Sequence, residues 1–184
     1  MNAQAIRARP VRQGKPAIPT LTTRSGFRFS LRQAAPDDLA DLRVFLGQLT
    51  LPDIRFRFLS PMRSVSDSLA QHLLREDPSI RHFLAFEPDE TAIIASGMLA
   101  IDPSGKKAEV ALCIRPEFKH EGISWTMLEF LLKQARAEGI DAIEAIEASD
   151  HREAIELERQ MGFEIDRDCA DPSLVVVRKT FSKE

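Results

Sequence analysis

Residues 107–139 contain the pattern that most constrains the fold of this chain. Residues 109–114 have the length of a β-strand and are apolar apart from the first of them. Pro116 ends that run, because proline has no amide proton for strand pairing. From Gly122 to Gly139 apolar residues recur at helical spacing, and the second glycine is typical of a helix end. A strand that leads through a loop into a helix directs backbone N–H groups and the positive helix dipole at one point, so the pattern predicts an anion-binding site.

The length and composition indicate one globular domain. The chain has 184 residues, of which 43% are hydrophobic and 29% are charged, and these values are ordinary for a single domain with its own core. No apolar run approaches the ~20 residues that a membrane-spanning helix needs. Two cysteines, Cys113 in the predicted strand and Cys169 in a polar segment, make no disulfide framework and suit a reducing compartment. We therefore expect a cytoplasmic protein with no membrane partner.

The formal net charge of −3 is unevenly distributed along the chain. Residues 1–26 contain five basic residues, no acidic residue and three prolines, which predicts a disordered basic tail. Residues 27–184 hold the other 20 basic residues and all 28 acidic residues, a net charge of −8 (20 − 28), and are expected to form the domain. An acidic domain suits a cationic partner or substrate and argues against nucleic acid as a partner.

Periodicity, turn residues and helix caps predict an alternating order of strands and helices. Pro36, followed by two aspartates, starts the first helix, and Asp150 with Glu153 three residues later forms a predicted capping box. This order predicts a single α/β layered domain in which three consecutive strands form an antiparallel meander. The predicted strands are residues 27–32, 81–87, 91–101, 109–114, 142–148, 163–166 and 174–180, and the predicted helices begin near residues 36, 53, 66, 123 and 151.

Three segments of the chain resemble the GNAT superfamily of N-acetyltransferases. Residues 119–124 are similar to the loop that holds the pyrophosphate of acetyl-coenzyme A in that superfamily. Residues 108–113 resemble the strand before this loop, at the spacing seen in members that carry a glutamate base on it. Residues 154–163 end in Met-Gly-Phe and resemble the superfamily's helix that ends in a Leu-Gly-Phe signature. Together the resemblance covers roughly residues 27–180.

The resemblance implies the acyl-coenzyme A N-acyltransferase fold. This fold is a mixed α/β arrangement around a mostly antiparallel sheet, in which the fourth and fifth strands splay apart and admit the pantetheine arm of the coenzyme. It also implies acetyl-coenzyme A as the acyl donor and a monomer or homodimer. We expect no metal cofactor, because the four histidines show no metal-ligand spacing.

The resemblance places Glu109 at the position of a general base. An amine acceptor must lose a proton before it attacks a thioester, because a lysine ammonium has a pKa of about 10.4, and a carboxylate in a partly desolvated cleft can accept that proton. The alternative interpretation of Glu109 is an exposed glutamate at the start of a strand. The cofactor-binding residues that the resemblance implies are Leu112, Cys113, Ile114, Lys119, His120, Glu121, Gly122, Ile123, Ser124 and His151.

Several nearby side chains have alternative interpretations. We expect the Cys113 thiol to be inert packing rather than a nucleophile, and the resemblance implies that its backbone N–H meets the acetyl carbonyl. His151 replaces an asparagine that binds near pantetheine, and it is equally well interpreted as a solvated residue of a first helical turn. Glu158 replaces a tyrosine that acts as a general acid in some members, and we expect it on a solvated helix face. The acidic residues within 166–171 either attract a cationic acceptor or belong to a solvated loop.

Three residues of the predicted phosphate loop depart from the superfamily's pattern. Lys119 replaces Gln or Arg and adds a cation, and Ser124 replaces Gly or Ala. Glu121 stands where many members carry Arg or Lys, and its carboxylate would repel a pyrophosphate by about 1 kcal/mol at short range in water. These departures motivate a second hypothesis, a catalytically idle module that binds an acyl-coenzyme A or a partner in a regulatory role.

The leading hypothesis is an acetyl-coenzyme A-dependent N-acetyltransferase that transfers the acetyl group directly to a primary amine in a ternary complex. Residues 54–63 resemble the Arg-Phe-rich, Ser-Pro segment of bacterial protein lysine acetyltransferases of the Pat type. A protein lysine is therefore the first expected acceptor, and a small amine or polyamine is the second.

Overall fold

The computed structural model describes residues 19–89, 91–166 and 171–181, and these residues form one mixed sheet with helices on both faces. The strands are β1 Thr20–Thr22, β2 Arg28–Gln33, β3 Ile80–Phe86, β4 Ile93–Ile101, β5 Lys107–Ile114, β6 Ala142–Ala148, β7 Glu164–Asp166 and β8 Leu174–Thr180. The helices are α1 Leu39–Gly47, α2 Leu51–Phe58, α3 Asp67–Leu73, α4 Ile123–Ala137 and α5 Arg152–Gln160, with 3-10 turns at Pro36–Asp38 and Pro116–Phe118.

The strand order across the sheet is β1-β2-β3-β4-β5-β6-β8-β7. Strands β1 to β5 pair antiparallel in sequence order. On the other side of the sheet β8 lies between β6 and β7 and pairs antiparallel with both. β5 and β6 form the parallel pair, and α4 makes the long crossover that parallel neighbours require. This topology confirms the predicted α/β fold with a mostly antiparallel sheet and the predicted meander.

Apolar side chains on both faces of the sheet hold the helices in place. Leu131 of α4 packs in one core cluster with Val110 of β5. On the opposite face Phe45 of α1 packs in another cluster with Cys113 of β5. Because strand side chains alternate between faces, even-numbered β5 residues face α4 and odd-numbered ones face α1, α2 and α3.

The parallel pairing between β5 and β6 is short. It joins only residues 107–109 of β5 to residues 142–144 of β6. Beyond these pairs each strand continues to bond on its outer side, β5 with β4 as far as Ile114 and β6 with β8 as far as Ala148. A gap therefore opens between the two strands, which we call the wedge, and it matches the expected splay of the fourth and fifth strands.

Helix α2 begins earlier than the sequence pattern predicted. Pro52 was expected to interrupt the chain before a helix at Asp53, but it lies in the first turn of α2, where its missing N–H has no intrahelical partner to lose. Thr50 caps this helix: its Oγ1 accepts a hydrogen bond from the Asp53 amide at 3.3 Å, and the Asp53 carboxylate accepts one from the Thr50 amide at 2.9 Å. This reciprocal pair is a capping box.

Part of the expected basic tail belongs to the sheet. Thr20–Thr22 forms β1 and pairs antiparallel with β2, so the ordered sheet begins before the boundary expected at residue 27. Residues 1–18 of the expected tail lie outside the described residues. The charge pattern missed β1 because a three-residue strand with two threonines has no hydrophobic alternation to detect.

The predicted capping box before α5 is wrong, whereas the predicted end of that helix is right. The N-cap is His151, and no side chain caps the helix there. The Asp150 carboxylate instead accepts two hydrogen bonds from the Arg55 guanidinium of α2, at 2.9 and 3.0 Å. Gly162 follows the helix with a φ of 84°, the left-handed conformation that glycine adopts at helix ends.

His82 is a buried polar residue of β3 that links the sheet to α3. Its Nδ1 lies 2.9 Å from the carbonyl oxygen of Leu73, and its Nε2 lies 2.8 Å from Ser96 Oγ. Burial lowers the pKa of His82 from 6.5 to about 4. Between these two values the unfolded chain binds the proton and the folded chain does not, so stability is lost as the pH falls from about 6.5 to about 4.

We expect His82 alone to lower the free energy of unfolding by about 2 kcal/mol between pH 7 and pH 5. Denaturant unfolding of the wild type and of His82→Gln at both pH values measures this contribution, because glutamine does not titrate. The variant should lose less stability over the interval, while His72→Gln, at an exposed position of α3, should behave as the wild type does. An equal pH dependence in wild type and His82→Gln would contradict the assignment.

Candidate functional site

The backbone of β5 presents unpaired polar groups to the wedge. Arg115 donates its amide N–H to the carbonyl oxygen of Ile94 at 2.9 Å, which fixes the direction of every second residue. In an antiparallel ladder of this register, the backbone N–H and C=O groups of odd-numbered β5 residues bond to β4, and those of even-numbered residues point away from β4, toward β6. The residues that direct backbone groups into the wedge are therefore Val110, Leu112 and Ile114.

The facing edge of β6 is unpaired in the same way. Phe181 donates its amide N–H to the carbonyl oxygen of Asp141 at 2.8 Å, so odd-numbered β6 residues bond to β8. Ile146 consequently directs its N–H and C=O groups toward β5, and Ala148 directs its N–H there, while the Ala148 carbonyl oxygen accepts a hydrogen bond from the His151 amide at 2.8 Å. Two facing rows of backbone donors and acceptors line the wedge, and such edges suit an extended ligand that carries amide groups of its own.

The strand register gives Cys113 a role different from the expected one. Its backbone N–H points to β4, opposite Ser96, and is therefore not available to an acyl group in the wedge. Its thiol is buried, and burial raises the pKa of Cys113 to about 11, so the group stays protonated at neutral pH. These features fit the expected inert thiol. The amides of Leu112 and Ile114 replace that of Cys113 as candidates to bind an acyl carbonyl.

The loop between β5 and α4 forms a concave row of amides. His120 and Gly122 have positive φ angles of 72° and 80°, and a Cβ on Gly122 would lie 3.3 Å from the Cβ of Thr23, so this position favours glycine. Within the described part of the chain, no amide N–H of residues 120–125 donates to a protein acceptor. Successive unpaired amides at a helix N-terminus are suitable donors for an anion, so the loop has the geometry that the predicted anion-binding site requires.

The cation that Lys119 was expected to add to this loop is neutralised by α2. Lys119 Nζ forms an ion pair with the Asp53 carboxylate, whose side chain is only 5% exposed. Burial by itself would raise the pKa of Asp53, but hydrogen bonds from Lys119 and Thr50 hold it below its usual value. Asp53 therefore stays ionised, caps its own helix and holds the phosphate loop at the same time.

Residues 23–25 support the loop from the N-terminal side. Ser25 Oγ donates a hydrogen bond to the carbonyl oxygen of Glu121 at 2.8 Å. The guanidinium of Arg24 lies 4.0 Å from the ring centroid of Trp125 in the first turn of α4, a cation–π geometry. These residues belong to the predicted basic tail, and their contacts with the loop have no local signal in the sequence.

Glu109 marks the closed end of the wedge. It is the last β5 residue that pairs with β6, and its partner there is Glu144. Its side chain is exposed on the face of the sheet that carries α1, α2 and α3. None of the ion pairs among the described residues uses Glu109, whereas Glu144 accepts a hydrogen bond from Arg178 Nε at 2.7 Å. Both interpretations of Glu109 remain compatible with this position.

Helix α2 spans the open end of the wedge. Its Phe56 stacks on the His151 ring after β6, with ring centroids 4.0 Å apart and planes 8° from parallel. The ion pair between Arg55 and Asp150 reinforces this contact. On the other side Asp53 reaches the loop after β5. One short helix therefore contacts both sides of the wedge, the loop after β5 and the turn after β6. The His151 ring is stacked on Phe56 and is not freely solvated.

Glu158 is buried rather than solvated, contrary to the expectation. It is 5% exposed, and its Oε2 has no hydrogen-bond partner among the described residues. Burial and the adjacent Glu147 carboxylate raise the pKa of Glu158 to about 9, so the pair holds a proton at neutral pH. His151 Nδ1 lies 2.6 Å from Glu147 Oε2. These three side chains link a partly exposed imidazole to a buried acid beside the unpaired part of β6.

Residues 19–89, 91–166 and 171–181 contain no group of three or more His, Cys, Asp or Glu side chains that could hold a metal ion. They also contain no helix long and apolar enough to cross a membrane. Of the acidic residues near the last loop, Asp166 pairs with Arg178 at 3.4 Å and Asp171 bonds the Ser173 amide at 2.8 Å. Asp168 lies outside the described residues.

Comparison with known families agrees with this geometry. The model of the acetyltransferase (GNAT) family matches residues 48–163, a segment that contains the wedge, the phosphate loop and both α4 and α5. This chain therefore belongs to the GNAT family of acetyltransferases, and the resemblance found in the sequence is confirmed.

Solved structures of GNAT proteins share the fold. The GNAT domain of S. lividans PAT superposes with a TM-score of 0.81 at 20% identity, covering 91% of this chain and 100% of that one. The ribosomal L7/L12 alpha-N-protein acetyltransferase RimL, in complex with coenzyme A, gives 0.70 at 16%, covering 89% and 97%. Spermidine N-acetyltransferase from Vibrio cholerae, with coenzyme A and spermine, gives 0.66 at 19%, covering 82% and 92%. At these identities the similarity establishes the fold alone.

The buried acid gives a stability prediction. Folded Glu158 keeps its proton up to about pH 9, whereas an unfolded glutamate loses it near pH 4.3, so rising pH between these values destabilises the wild type. Glu158→Gln is neutral throughout and should lose less stability between pH 6 and pH 8.5 in denaturant unfolding. Glu156→Gln, at an exposed position of the same helix, should keep the wild-type slope. Identical slopes for Glu158→Gln and wild type would mean that the buried carboxyl is already ionised.

Proposed function

We propose that this chain is an acetyl-coenzyme A-dependent N-acetyltransferase that moves the acetyl group directly to a primary amine in a ternary complex. The observation that carries the proposal is the wedge, whose two unpaired strand edges end at a row of unpaired amides. In acetyl-coenzyme A an amide-containing arm joins the thioester to a diphosphate. The arm complements the unpaired strand edges, and the diphosphate complements the row of unpaired amides.

The coenzyme diphosphate would lie at the amides of residues 120–125, where the N-terminal dipole of α4 favours negative charge. Arg24, beside Trp125 in the first helical turn, adds a cation that offsets Glu121. The pantetheine arm would enter between β5 and β6 and bond to their free backbone groups. The residues proposed to bind the coenzyme are Leu112, Ile114, Lys119, His120, Glu121, Gly122, Ile123, Ser124 and His151, with Cys113 contributing only by packing beneath the strand.

Glu109 is the proposed general base. It accepts a proton from the acceptor's ammonium group, directly or through a water, and the freed amine lone pair attacks the thioester carbonyl carbon. The carbonyl oxygen becomes negatively charged, and a wedge-facing amide, that of Leu112 or Ile114, donates a hydrogen bond to it. As this intermediate collapses, the C–S bond breaks and the nitrogen gives up its second proton to solvent, which leaves the N-acetylated product, a protonated Glu109 and the coenzyme A thiolate.

The buried pair of Glu147 and Glu158 is a proposed proton source for that thiolate. Burial and the Glu147 carboxylate raise the pKa of Glu158, so the pair holds a proton at neutral pH that it can give to a thiolate, whose conjugate thiol has a pKa of about 8.5. His151 bonds to Glu147 and is partly exposed, so it can return a proton from solvent. A thiolate is also stable enough to leave without an acid, which makes this step an assistance rather than a requirement.

A protein lysine is the first proposed acceptor, and a small amine or polyamine is the second. The net charge of −8 over residues 27–184 favours a cationic acceptor. The resemblance of residues 54–63 to Pat-type lysine acetyltransferases supports the protein acceptor. Among proteins of the same fold, RimL acts on ribosomal L7/L12 and the Vibrio cholerae enzyme on spermidine, so the fold is compatible with both classes.

A catalytically idle module is the second candidate, and one observation favours it. Asp53 neutralises Lys119, and Glu121 adds a negative charge beside the loop amides. Both effects lower the attraction of the loop for a diphosphate. Such a module would bind an acyl-coenzyme A or a partner in a regulatory role and would not turn it over.

Titration calorimetry with acetyl-coenzyme A, followed by a thiol-release assay, separates these functions. We expect binding that weakens with added salt, because the diphosphate contact is electrostatic, and thiol release with at least one acceptor from a panel of lysine peptides, polyamines and small amines. Binding without release for any acceptor would favour the idle module. An empty site at millimolar coenzyme would contradict the transferase and the form of the idle module that binds an acyl-coenzyme A.

Glu109→Gln tests the base. Turnover should fall by roughly 10²- to 10⁴-fold at neutral pH, while the affinity for acetyl-coenzyme A stays within twofold of wild type. Part of the loss should be recovered at high pH, where the amine is deprotonated without a base. Glu129→Gln, at an exposed position of α4, serves as the control. Unchanged turnover in Glu109→Gln would remove this residue from the mechanism.

A further inference from the structure

Arg57 of α2 carries a charge that no carboxylate of the described residues neutralises. Its Nη2 lies 2.9 Å from the Met98 sulfur of β4, and its Cζ lies 5.1 Å from the ring centroid of Phe58. The guanidinium also lies close enough to the Cys113 thiol to affect its ionisation. Thioether and thiol sulfurs are weak acceptors, so Arg57 keeps most of its five N–H donors for another partner.

The other half-buried arginines of the described ranges all have carboxylate partners. A cation that gives up part of its hydration needs compensation from a charge or from hydrogen bonds, and packing against sulfur and a ring supplies little. Arg57 is therefore an exception that the fold itself does not explain. The four paired examples are Arg32 with Asp38 at 2.6 Å, Arg81 with Glu138 at 2.8 Å, Arg115 with Glu87 at 3.6 Å and Arg178 with Glu144 at 2.7 Å.

Arg57 lies on the face of the sheet that also carries Glu109. Met98, which Arg57 contacts, pairs with Ala111 across β4 and β5, so the guanidinium covers the row between Cys113 and Glu109. Glu109 lies two residues along β5 from Ala111, the partner of Met98, so the Cα atoms of Met98 and Glu109 are ~8 Å apart. A small substrate placed at the vertex of the wedge can therefore contact both side chains.

The neighbourhood of Arg57 suits a single carboxylate. A guanidinium fork matches one carboxylate in a bidentate geometry. Met98, Cys113 and Phe58 make the surroundings apolar, and a lower local dielectric strengthens a one-to-one ion pair.

We propose that Arg57 binds the carboxylate of a small-molecule substrate and thereby sets the specificity of the transfer. This inference rests on the proposed transferase function and changes its proposed substrates, because it adds a carboxylate to the acceptor or to the acyl group of the donor. The carboxylate belongs either to the acceptor, as in an amino acid, or to the acyl group of the donor, as in the coenzyme A monothioester of a dicarboxylic acid. Matched substrate pairs distinguish the two sources.

Thiol release is measured with pairs that differ by one carboxylate. The acceptor pairs are leucine with 3-methylbutylamine and 4-aminobutyrate with propylamine, each with acetyl-coenzyme A as donor. The donor pair is succinyl-coenzyme A with acetyl-coenzyme A, using one common amine. The wild type should prefer the carboxylate-bearing member of at least one pair by tenfold or more in kcat/KM.

Two variants of Arg57 and one control carry the test. In Arg57→Met the ratio of kcat/KM values within the preferred pair should fall at least tenfold, because methionine packs against Met98 without a charge. Arg57→Lys keeps the charge but loses the fork, so its ratio should be intermediate. Arg63→Met, at an exposed position after the same helix, should keep the wild-type ratio. Denaturant unfolding of each variant establishes that it folds.

Calorimetry keeps this inference separate from the proposed function. N-acetylleucine and N-acetyl-3-methylbutylamine are titrated into the protein loaded with coenzyme A, and the two donors are titrated into the free protein. Binding that requires the carboxylate and is lost in Arg57→Met supports the Arg57 site even without turnover, an outcome that would contradict the transferase. Turnover with no carboxylate preference in wild type, or an equal loss for both members of every pair in Arg57→Met, overturns the inference and leaves the transferase intact.

Discussion

The point at which hydrogen bonding between β5 and β6 ends determines the rest of the site. Buried backbone groups need partners, and beyond Glu109 these two strands leave theirs facing each other across a gap. The outer edges stay fixed by β4 and β8, so the gap cannot close by local rearrangement alone. Strand register, rather than side-chain identity, then decides which amides face the gap, which is why those of Leu112 and Ile114 face it and that of Cys113 does not.

Helix α2 connects parts of the site that the sheet keeps apart. Its side chains at Asp53, Arg55, Phe56 and Arg57 reach the phosphate loop, the β6–α5 turn and the surface of β4. These contacts differ in how much they stabilise the structure. The Arg55 ion pair is exposed and contributes little to stability, whereas Asp53 is buried and also caps its helix, so its loss would leave several donors unpaired. The helix is therefore a structural part of the cleft.

The regular elements were predictable because burial imposes a period on the sequence, as in β5 and α4. The contacts that complete the site were not, since they join residues distant in the chain: Ser25 with Glu121 lie 96 positions apart, Arg55 with Asp150 95, and Lys119 with Asp53 66. Glu158 was misplaced because the helix around it is mostly charged, and no local pattern marks one buried glutamate among exposed ones. The wedge-facing amides depend on register between strands, which a single strand's sequence does not encode.

The short first strand has a practical consequence for anyone who shortens this protein. A version that starts at Phe27, the boundary that charge composition favours, would delete Thr20–Thr22 and leave the edge of β2 open to strand addition by another molecule. It would also remove Ser25 and with it the hydrogen bond that steadies the turn ahead of α4. Tags and fusion junctions therefore belong upstream of Pro19, where they leave β1 and the support of the loop before α4 intact.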